Sequence, residues 1–432
     1  MAEALALNAG SVRRGVLVLT LVNLLNYLDR YITAPLGESL ARSPLHVSDT
    51  AFGFLTSGFI LVYMLAAPVF GRLGDAGSRT RLIALGVFLW SLATAAGGLA
   101  WSFASLFVAR ALVGIGEAAY GTVAPSLLAD YYPREYRGRV FAFFFAAIPV
   151  GSALGYVLGG QLDVHFGWQA AFFITGLPGA VLAFLLLRLP DPPRGIHDDE
   201  FAASSRSAGA RGAYARLVAN RPYVLTVLGY AAYTFALGGM AAFLPKFLMR
   251  VRGLPEGSAT LWSGLCLLVT GLAGTALGGW LGDRLLSRTR QAYLWLSGVA
   301  TLAAAPIAAV ALTSAAPPRY WAGIVGAELL LFTSTGPINS AIVNVVAPEI
   351  RATAVALSIL TIHVLGDVPS PTLLGFLSDR TSLGRAVLII PVAVLVAGVI
   401  WIYAARWGEQ AAAASGSESS RAPRRDPPHE FP

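Results

Sequence analysis

The chain has 432 residues, of which 56% are hydrophobic and only 12% are charged, against about 25% charged residues in soluble domains. This composition, with a mean hydropathy of +0.65, excludes an ordinary soluble globular protein. The net charge of +8 comes from arginines in short segments between apolar runs, which is typical of membrane topology, so we predict no nucleic-acid partner. The one cysteine, Cys266, excludes an intramolecular disulfide.

Long apolar runs recur along the whole chain. A hydrocarbon core about 30 Å thick requires roughly 20 residues of helix, and charges, prolines and polar turns divide the chain into twelve such runs. The sequence therefore predicts an all-α membrane protein with twelve transmembrane helices in two pseudo-symmetric six-helix bundles. The predicted spans are residues 15–40, 50–72, 81–101, 104–131, 138–162, 168–189, 222–248, 259–281, 291–313, 319–346, 352–377 and 385–407.

The first apolar run follows Arg13 and Arg14 and is longer than a signal-peptide core, so we predict that it is retained as the first helix. Under this topology most loop arginines lie on the side of the termini, which by the positive-inside rule is the cytoplasmic side. We therefore expect a monomeric, multi-pass protein of a bacterial inner membrane with both termini in the cytoplasm.

Composition divides the chain into four segments. Residues 1–189 and 222–407 are predicted to form the two bundles, and residues 190–221, rich in Asp, Ser, Ala and Arg, a cytoplasmic linker between them. Residues 408–432 have little apolar content, which predicts a disordered cytoplasmic tail. Two interpretations remain open for residues 211–221, a short basic helix on the membrane surface or a plain linker.

Two short motifs occur at corresponding places in the two bundles. After the second helix of its bundle, GRLGD at 71–75 is followed by SRTR, and GWLGD at 279–283 is also followed by SRTR. Between the fourth and fifth helices, PREYR in the first bundle corresponds to PEIR in the second. Two matches at equivalent positions indicate an internal duplication, which is a feature of major facilitator transporters.

The charged residues of these motifs have two interpretations. The first is topological, with loop arginines holding the inner leaflet. The second is a cytoplasmic gate whose contacts between the bundles break when the gate opens. The candidate gate residues are Asp75, Arg79, Arg137, Asp283 and Arg351.

Four ionisable side chains interrupt the predicted first and fourth helices, namely Asp29, Arg30, Arg110 and Glu117. Each costs roughly 2.5–3.5 kcal/mol to place in lipid, so they must face a protein interior or a water-filled cavity. Adjacent residues on a helix differ by about 100°, so Asp29 and Arg30 point in different directions. Arg110 and Glu117 share a face, about 10 Å apart along the axis.

A polar pathway for a substrate is one interpretation of these charges, and a set of salt bridges that only locks two helices is the other. On the first interpretation, Glu117 and Asp29 are candidates for proton coupling. Arg30 and Arg110 are candidates for binding an anionic group, because a guanidinium group does not lose its proton.

The predicted tenth and eleventh helices contain Glu328, His363 and Asp367. Because His363 and Asp367 are four residues apart, they share a helix face and can form a hydrogen bond. Such a pair can act as a proton relay or as a structural brace, and both interpretations remain open. Pro369 and Pro371 close to Gly366 predict a kink or hinge in this helix.

Several kinds of site are absent from the sequence. The five histidines are scattered and lack metal-ligand spacing, and no Walker-type phosphate loop occurs, so we predict no metal, no cofactor and no ATP-driven transport. No nucleophile–base set is recognisable, so we do not expect an enzyme. A non-transporting receptor or scaffold is a third possibility, which the repeat and the intramembrane charges disfavour.

Four longer segments carry a family resemblance. They are NYLDR at 26–30, RALVGIGEAAYGTVAPSLLADYY at 110–132, FFAAIPVGSALGYVLGG at 144–160 and HVLGDVPSPTLLGFLSD at 363–379. Together they resemble the Spinster family of major facilitator transporters, and the likeness covers nearly all of the membrane portion. NYxDR with the R-x6-E pattern is shared with organic-anion/proton symporters, whereas the other runs are more specific to Spinster proteins.

The resemblance implies a major facilitator fold and a rocker-switch carrier of amphipathic lipids, such as lysophospholipids or sphingosine-1-phosphate. It implies that Glu117 is the protonation switch and that Asn26, Tyr27, Arg30 and Arg110 bind the head group. The lipid tail would lie against the wall from Phe141 to Phe145. The predicted partners are thus the substrate, protons and membrane lipids. The alternative is a proton-coupled carrier of small organic anions or drugs.

Overall fold

The computed structural model of the protein describes residues 9–196, 212–346 and 350–419, and within these ranges it contains helices and no strand. The first bundle comprises α1 (Ala9–Tyr31), α2 (Asp49–Ala76), α3 (Arg79–Gly97), α4 (Phe103–Tyr131), α5 (Arg134–Phe166) and α6 (Trp168–Leu186). The second comprises α7 (Arg221–Arg250), α8 (Glu256–Leu286), α9 (Ala292–Thr313), α10 (Pro317–Phe332 with Thr335–Asn344), α11 (Arg351–Ile362, His363–Asp367 and Pro369–Arg380) and α12 (Ile389–Ser419).

By length and composition, 11 helices in the described part of the chain can cross a membrane. The twelfth is α1, whose 23 residues include two asparagines, Asp29 and Arg30 in the C-terminal half of the helix. These polar residues explain why α1 is the least apolar of the twelve. The predicted all-α architecture with twelve helices is confirmed.

The two bundles pack their helices in the same way. In the first, α2 and α3 pack on α4, α3 on α6, and α1 on α5 and α6. In the second, α8 and α9 pack on α10, α9 on α12, and α7 on α11 and α12. Each packed pair of helices in the first bundle therefore has an equivalent pair in the second, with both helix numbers raised by six, as the sequence repeat predicts. The bundles meet along a seam formed by α2 against α11 and by α5 against α8.

Prolines account for two differences from the predicted spans. The predicted first span, residues 15–40, is wrong at its end, because α1 stops at Tyr31 and is followed by a 3-10 turn (Ala34–Leu36) and a short helix (Gly37–Arg42). Pro35 lacks an N–H and disfavours the α conformation of the residue before it. In the same way, α10 is interrupted at Thr333 and Ser334, just before Pro337.

The predicted kink in the eleventh helix is confirmed. Residues His363–Asp367 form a π turn between two α-helical segments, and the second segment begins at Pro369. A π turn widens the helix locally, and such turns are frequent at functional sites. The turn directs His363 and Asp367 toward the interior between the bundles.

The linker and the tail are described only in part. Residues 197–211 of the predicted linker lie outside the described residues, and a short helix, Ala213–Ala219, follows them. Its Leu217 is fully buried in a cluster with Tyr223 and Ile342, so this helix packs on the second bundle. Helix α12 continues to Ser419, past the predicted boundary at 407, and residues 420–432 lie outside the described residues.

The seam is tightly packed at one end, and two glycines near its other end, which we call the open end, have free space beside them. We call the side of the bundle on which α1 begins the N-terminal side. On the opposite side, a Cβ added to Gly53 would clash with the carbonyl of Pro371, so α2 and α11 touch backbone to backbone. Toward the N-terminal side, a Cβ added to Gly71 or Gly279 would meet no atom within 4 Å.

Candidate functional site

Two cavities lie between the bundles. The polar cavity, about 240 Å³, is lined by residues of α1, α2, α4, α7 and α11, among them Tyr27, Arg30, Tyr63, Arg110, His363 and Asp367. The apolar cavity, about 570 Å³, is lined by residues of α1, α5, α7, α8 and α10, among them Phe145, Tyr156, Met240, Leu267, Glu328 and Phe332. Tyr31, Leu237 and Ala241 line both cavities, so the two are adjacent.

Arg30 and Glu117 form an ion pair at the wall of the polar cavity. Nη2 of Arg30 lies 2.9 Å from Oε2 of Glu117, and Nε lies 3.3 Å from the same oxygen. The Glu117 side chain is fully buried, whereas that of Arg30 is 26% exposed. Both contacts use one edge of the guanidinium group, so Nη1 is not engaged by Glu117 and is available to an anion in the cavity.

Three aromatic rings surround the Arg30 guanidinium group. Its central carbon lies 5.1 Å from the ring centroid of Tyr27, 5.2 Å from that of Phe59 and 5.0 Å from that of Tyr63. Cation–π contacts of this kind stabilise a desolvated cation and restrict its position. Arg30 is therefore held in place without using all of its hydrogen-bond donors.

Asp29 and Arg110 form a second, more deeply buried pair. Nη1 of Arg110 lies 3.6 Å from Oδ1 of Asp29, and the hydroxyl of Thr94 donates to Oδ2 of Asp29 at 2.8 Å. Their side chains are 1% and 3% exposed. Asp29 and Glu117 thus each have their own arginine, and the four charges sum to zero.

The second bundle supplies the facing wall of the polar cavity. His363 and Asp367 are hydrogen bonded, with Nδ1 of His363 at 2.9 and 3.0 Å from the two carboxylate oxygens, as their spacing predicts. Both side chains are partly exposed to the cavity, at 21% and 23%. The cavity therefore has arginine on one wall and a histidine–aspartate pair on the other.

The bundles are joined on the side opposite the N-terminal side by an ion cluster around Asp49, the first residue of α2. Nζ of Lys246 and Nη1 of Arg250, both on α7, lie 2.5 and 2.6 Å from its carboxylate oxygens. The hydroxyl of Ser378 on α11 also donates to Asp49. Asp379 accepts hydrogen bonds from the backbone N–H groups of Asp49 and Thr50, and so stabilises the N-terminus of α2.

Comparisons with known proteins agree with this architecture. The sequence profile of the Major Facilitator Superfamily matches residues 19–371. Protein spinster of Drosophila melanogaster is 33% identical over 375 residues, which are 84% of this chain and 61% of that protein, so the chain spans less than two thirds of its length. The sphingosine-1-phosphate transporter SPNS2 of Xenopus tropicalis is 32% identical over 415 residues, which are 89% of this chain and 80% of that protein. The chain belongs to the Spinster family.

A solved structure of the family is also similar. The crystal structure of a bacterial homologue of the human lysosomal transporter Spinster, in an inward-facing and unoccupied conformation, matches with a TM-score of 0.85 at 25% identity. The match covers 92% of this chain and 98% of that chain. The resemblance to Spinster proteins and the major facilitator fold that it implies are thereby confirmed.

The site residues predicted from the sequence differ in where they lie relative to the two cavities. Arg30, Arg110 and Tyr27 line the polar cavity, whereas Asn26 is 4% exposed and lines neither of the two cavities. Glu328, whose burial the sequence left open, is 2% exposed and lines the apolar cavity. Whether these residues act as predicted remains a prediction.

The predicted gate residues make contacts within their own bundles. Arg79 is buried and forms ion pairs with Asp130 at the end of α4 and with Asp191 in the first part of the linker. Asp283 accepts a hydrogen bond from Tyr293 of α9, and Asp75 is exposed.

Two of the gate candidates cap helices in equivalent ways. Nε of Arg137 donates to the carbonyl of Ala129 near the end of α4, at 3.0 Å. Nε of Arg351 donates to the carbonyl of Val343 near the end of α10, at 3.1 Å. In each case the arginine lies eight residues after its acceptor. Cations stabilise the C-terminal ends of helices, so the repeated motif preserves a cap.

Sequence reasoning missed the ion cluster around Asp49 and the hydrogen bond that Thr94 donates to Asp29. Lys246 is the only lysine in the chain and falls inside a predicted span, which is a signal that singles it out. It was not interpretable alone, because its partner Asp49 is about two hundred positions away. Thr94 gives no signal, because threonine is ordinary in a membrane helix.

Proposed function

We propose that this Spinster-family protein is a proton-coupled secondary transporter that moves a single-chain amphipathic lipid by alternating access. The observation that carries the proposal is the pair of adjacent cavities, one polar with Arg30 in its wall and one apolar. Such a pair matches a ligand with an anionic or zwitterionic head and one hydrocarbon chain. The frog relative is a sphingosine-1-phosphate transporter, which supports a phosphate-bearing lipid of this shape.

The head group is assigned to the polar cavity and the chain to the apolar cavity. Nη1 of Arg30 is available to a phosphate oxygen, and Tyr27 and Tyr63 hold the guanidinium group in position. Phe145, which belongs to the wall predicted to contact the tail, lines the apolar cavity. The apolar volume of about 570 Å³ is within the range of about 300–1,000 Å³ typical of sites for drug-sized ligands.

Proton coupling follows from the dependence of Glu117 on Arg30 as its counter-ion. When a lipid anion binds Nη1 of Arg30, the guanidinium charge is shared between two anions, and the fully buried Glu117 is no longer fully compensated. An incompletely paired buried carboxylate is costly, so Glu117 takes up a proton in this state. Asp29 is the second candidate for coupling, and it keeps Arg110 and Thr94 as partners.

The loop arginines assign the N-terminal side to the cytoplasm of a bacterial inner membrane. The open end of the seam then faces inward, in keeping with the inward-facing state of the similar bacterial structure. On closing, the exposed ends of α2 and α8 that carry Asp75 and Asp283 approach the other bundle. This is the step in which the gate candidates act.

Transport in proteoliposomes tests the proposal. A fluorescent lysophospholipid is added under an imposed pH gradient, its translocation is followed by albumin back-extraction, and proton movement is followed by an internal pH dye. We expect the gradient to accelerate lipid movement, and Glu117→Gln to abolish the coupling while thermal unfolding stays cooperative. Arg319→Gln is the control, since Arg319 is exposed at the start of α10 and lines neither cavity.

Two results would contradict the proposal. Unchanged coupled transport by Glu117→Gln would remove Glu117 from the mechanism. A thermal-shift panel of sugar acids, drugs and lysolipids in which only sugar acids stabilise the protein would overturn the lipid assignment in favour of an organic-anion carrier.

A further inference from the structure

A carboxyl group without a nearby cation lies in the wall of the apolar cavity. Glu328 on α10 is 2% exposed, and its Oε2 lies 2.9 Å from the hydroxyl oxygen of Thr270 on α8. Among the residues that the structure describes, no arginine, lysine or histidine lies within 4.0 Å of Glu328. Glu117 and Asp29, by contrast, each face an arginine.

Within the described part of the chain, the titratable groups that face Glu328 carry no positive charge. The titratable side chains that face it are the phenol of Tyr156 on α5 and the thiol of Cys266 on α8. Helix α9, which packs on α10, contains no charged residue. An ionised Glu328 would therefore be an uncompensated charge in an apolar wall, which is strongly unfavourable.

The hydrogen bonds around Thr270 indicate where the proton lies. The hydroxyl oxygen of Thr270 is 2.6 Å from the carbonyl of Cys266 and 2.9 Å from Oε2 of Glu328. A threonine hydroxyl has one hydrogen to donate. Both contacts are satisfied together only when Thr270 donates to the carbonyl and a protonated Glu328 donates to Thr270.

We propose that the apolar cavity is also a binding site for a lipophilic organic cation, an ammonium or phosphonium ion with an apolar body, whose charge pairs with Glu328. Aromatic residues, whose ring faces attract a cation, line the same cavity, namely Tyr31, Phe145, Tyr156 and Phe332. The body of the cation fills the space between Met240 and Leu267. This activity goes beyond the proposed lipid transport, because the ligand charge has the opposite sign and its partner is a different residue.

Binding of such a cation is coupled to release of one proton. The O–H bond of Glu328 breaks, the proton leaves to solvent through the open side, and the carboxylate takes the ligand cation as its counter-ion. The net charge of the cavity is the same before and after. Affinity therefore rises as the pH rises, by up to about tenfold per pH unit for a single exchanged proton.

Binding of tetraphenylphosphonium to the purified full-length protein tests this inference. The probe carries a permanent charge, so any pH dependence belongs to the protein, and triphenylphosphine oxide serves as the uncharged analogue. We expect tetraphenylphosphonium to bind more tightly than the neutral analogue, with affinity that increases with pH. Glu328→Gln keeps the hydrogen bond to Thr270 and should weaken binding of the cation by about tenfold or more, with no effect on the neutral analogue.

Matched variants test the assignment to Glu328. Arg319→Gln removes an exposed charge at the start of α10 that lines neither cavity, so it should leave binding of tetraphenylphosphonium and its pH dependence intact. Glu328→Asp, which restores a carboxyl group, should recover part of the affinity if Glu328→Gln unfolds at a lower temperature. Equal binding by wild type and a folded Glu328→Gln, or binding that does not change with pH, would overturn the inference.

The same preparation distinguishes failure of the lipid proposal from failure of this inference. Lysophospholipid transport measured on the same preparation reports on the polar cavity. Absence of lipid transport with intact, Glu328-dependent cation binding contradicts the lipid assignment alone. The reverse result contradicts the cation site alone.

Discussion

The two bundles share their helix packing and differ in how they neutralise buried charge. In the first bundle the two carboxylates beside the polar cavity each have their own guanidinium group, Asp29 with Arg110 and Glu117 with Arg30. In the second bundle Glu328 has only a hydroxyl partner. The two bundles therefore have the same backbone arrangement and different electrostatic properties. Without a ligand, the first bundle holds two balanced ion pairs beside the polar cavity, whereas the second holds a carboxyl group with no nearby cation in the wall of the apolar cavity.

The largest effect on stability and transport is expected from removing one charge of the Arg30–Glu117 ion pair. Arg30→Ala leaves the fully buried Glu117 without a counter-ion, so the free energy of unfolding should fall by roughly 3–5 kcal/mol. Lysophospholipid transport should be lost. Thermal unfolding in detergent and transport in proteoliposomes measure the two effects.

The double variant Arg30→Gln with Glu117→Gln is the control for this prediction. It removes both charges together, so it should recover most of the stability while transport stays absent. A double variant as unstable as Arg30→Ala would show that the pair contributes through packing rather than charge.

The next largest effect is expected at the contact that joins the bundles. Lys246→Met removes one of two cations from Asp49, and because Arg250 stays, the cost should be roughly 1–3 kcal/mol. This stabilisation is lost only from the conformation in which the bundles are closed on the side opposite the N-terminal side, so the population of that conformation should fall.

Cysteine labelling measures this shift. In a Cys266→Ala background, a cysteine at Ser57, which is buried in the seam, should be labelled faster when Lys246→Met is present. Arg319→Met, which removes an exposed charge at the start of α10, serves as the control. Equal labelling rates would show that Lys246 does not hold the seam.

A smaller effect is expected from the second bundle's own pair. His363→Gln keeps a hydrogen-bond donor toward Asp367 but removes a titratable group. If the pair relays protons, the pH dependence of lipid transport should flatten while KM for the lipid changes little. An unchanged pH profile together with loss of stability in His363→Ala would assign the pair to bracing the π turn.

The smallest effects are expected at two glycines that correspond in the repeat. Gly71→Ala and Gly279→Ala place a methyl group in open space, so each should raise the free energy of unfolding by about 0.5–1 kcal/mol through helix propensity. Gly278→Ala, next to Gly279, clashes with the backbone of Thr333 and should be destabilising. A loss of stability in Gly71→Ala would mean that the seam closes there in solution.

Much of the fold was accessible from sequence because its signals are local. Apolar run length gives the helices, Pro369 and Gly366 mark the π turn, and the four-residue spacing predicts the His363–Asp367 contact. Charges within apolar runs identify the site because burial of charge is costly wherever it occurs. These arguments need only a few neighbouring residues.

The remaining features depend on contacts between distant parts of the chain. The spacing of Arg110 and Glu117 places them on one face but does not indicate that each pairs with α1. The partners of Asp49 lie on α7 and α11, and no periodicity connects them. Arg79 belongs to a gate motif, yet it is buried in the first bundle and joins α4 to the linker through Asp130 and Asp191, which lie 51 and 112 positions later in the chain.

Tyr31 belongs to the walls of both cavities, and its ring centroid lies 5.4 Å from that of Tyr156. A ligand that extends from one cavity into the other passes this ring, and we expect the ring to rotate to admit it, at a cost in free energy that does not depend on the chain length of the ligand. Ligands too short to reach past Tyr31 avoid this cost, so affinity along a chain-length series should rise in a step rather than evenly with each methylene.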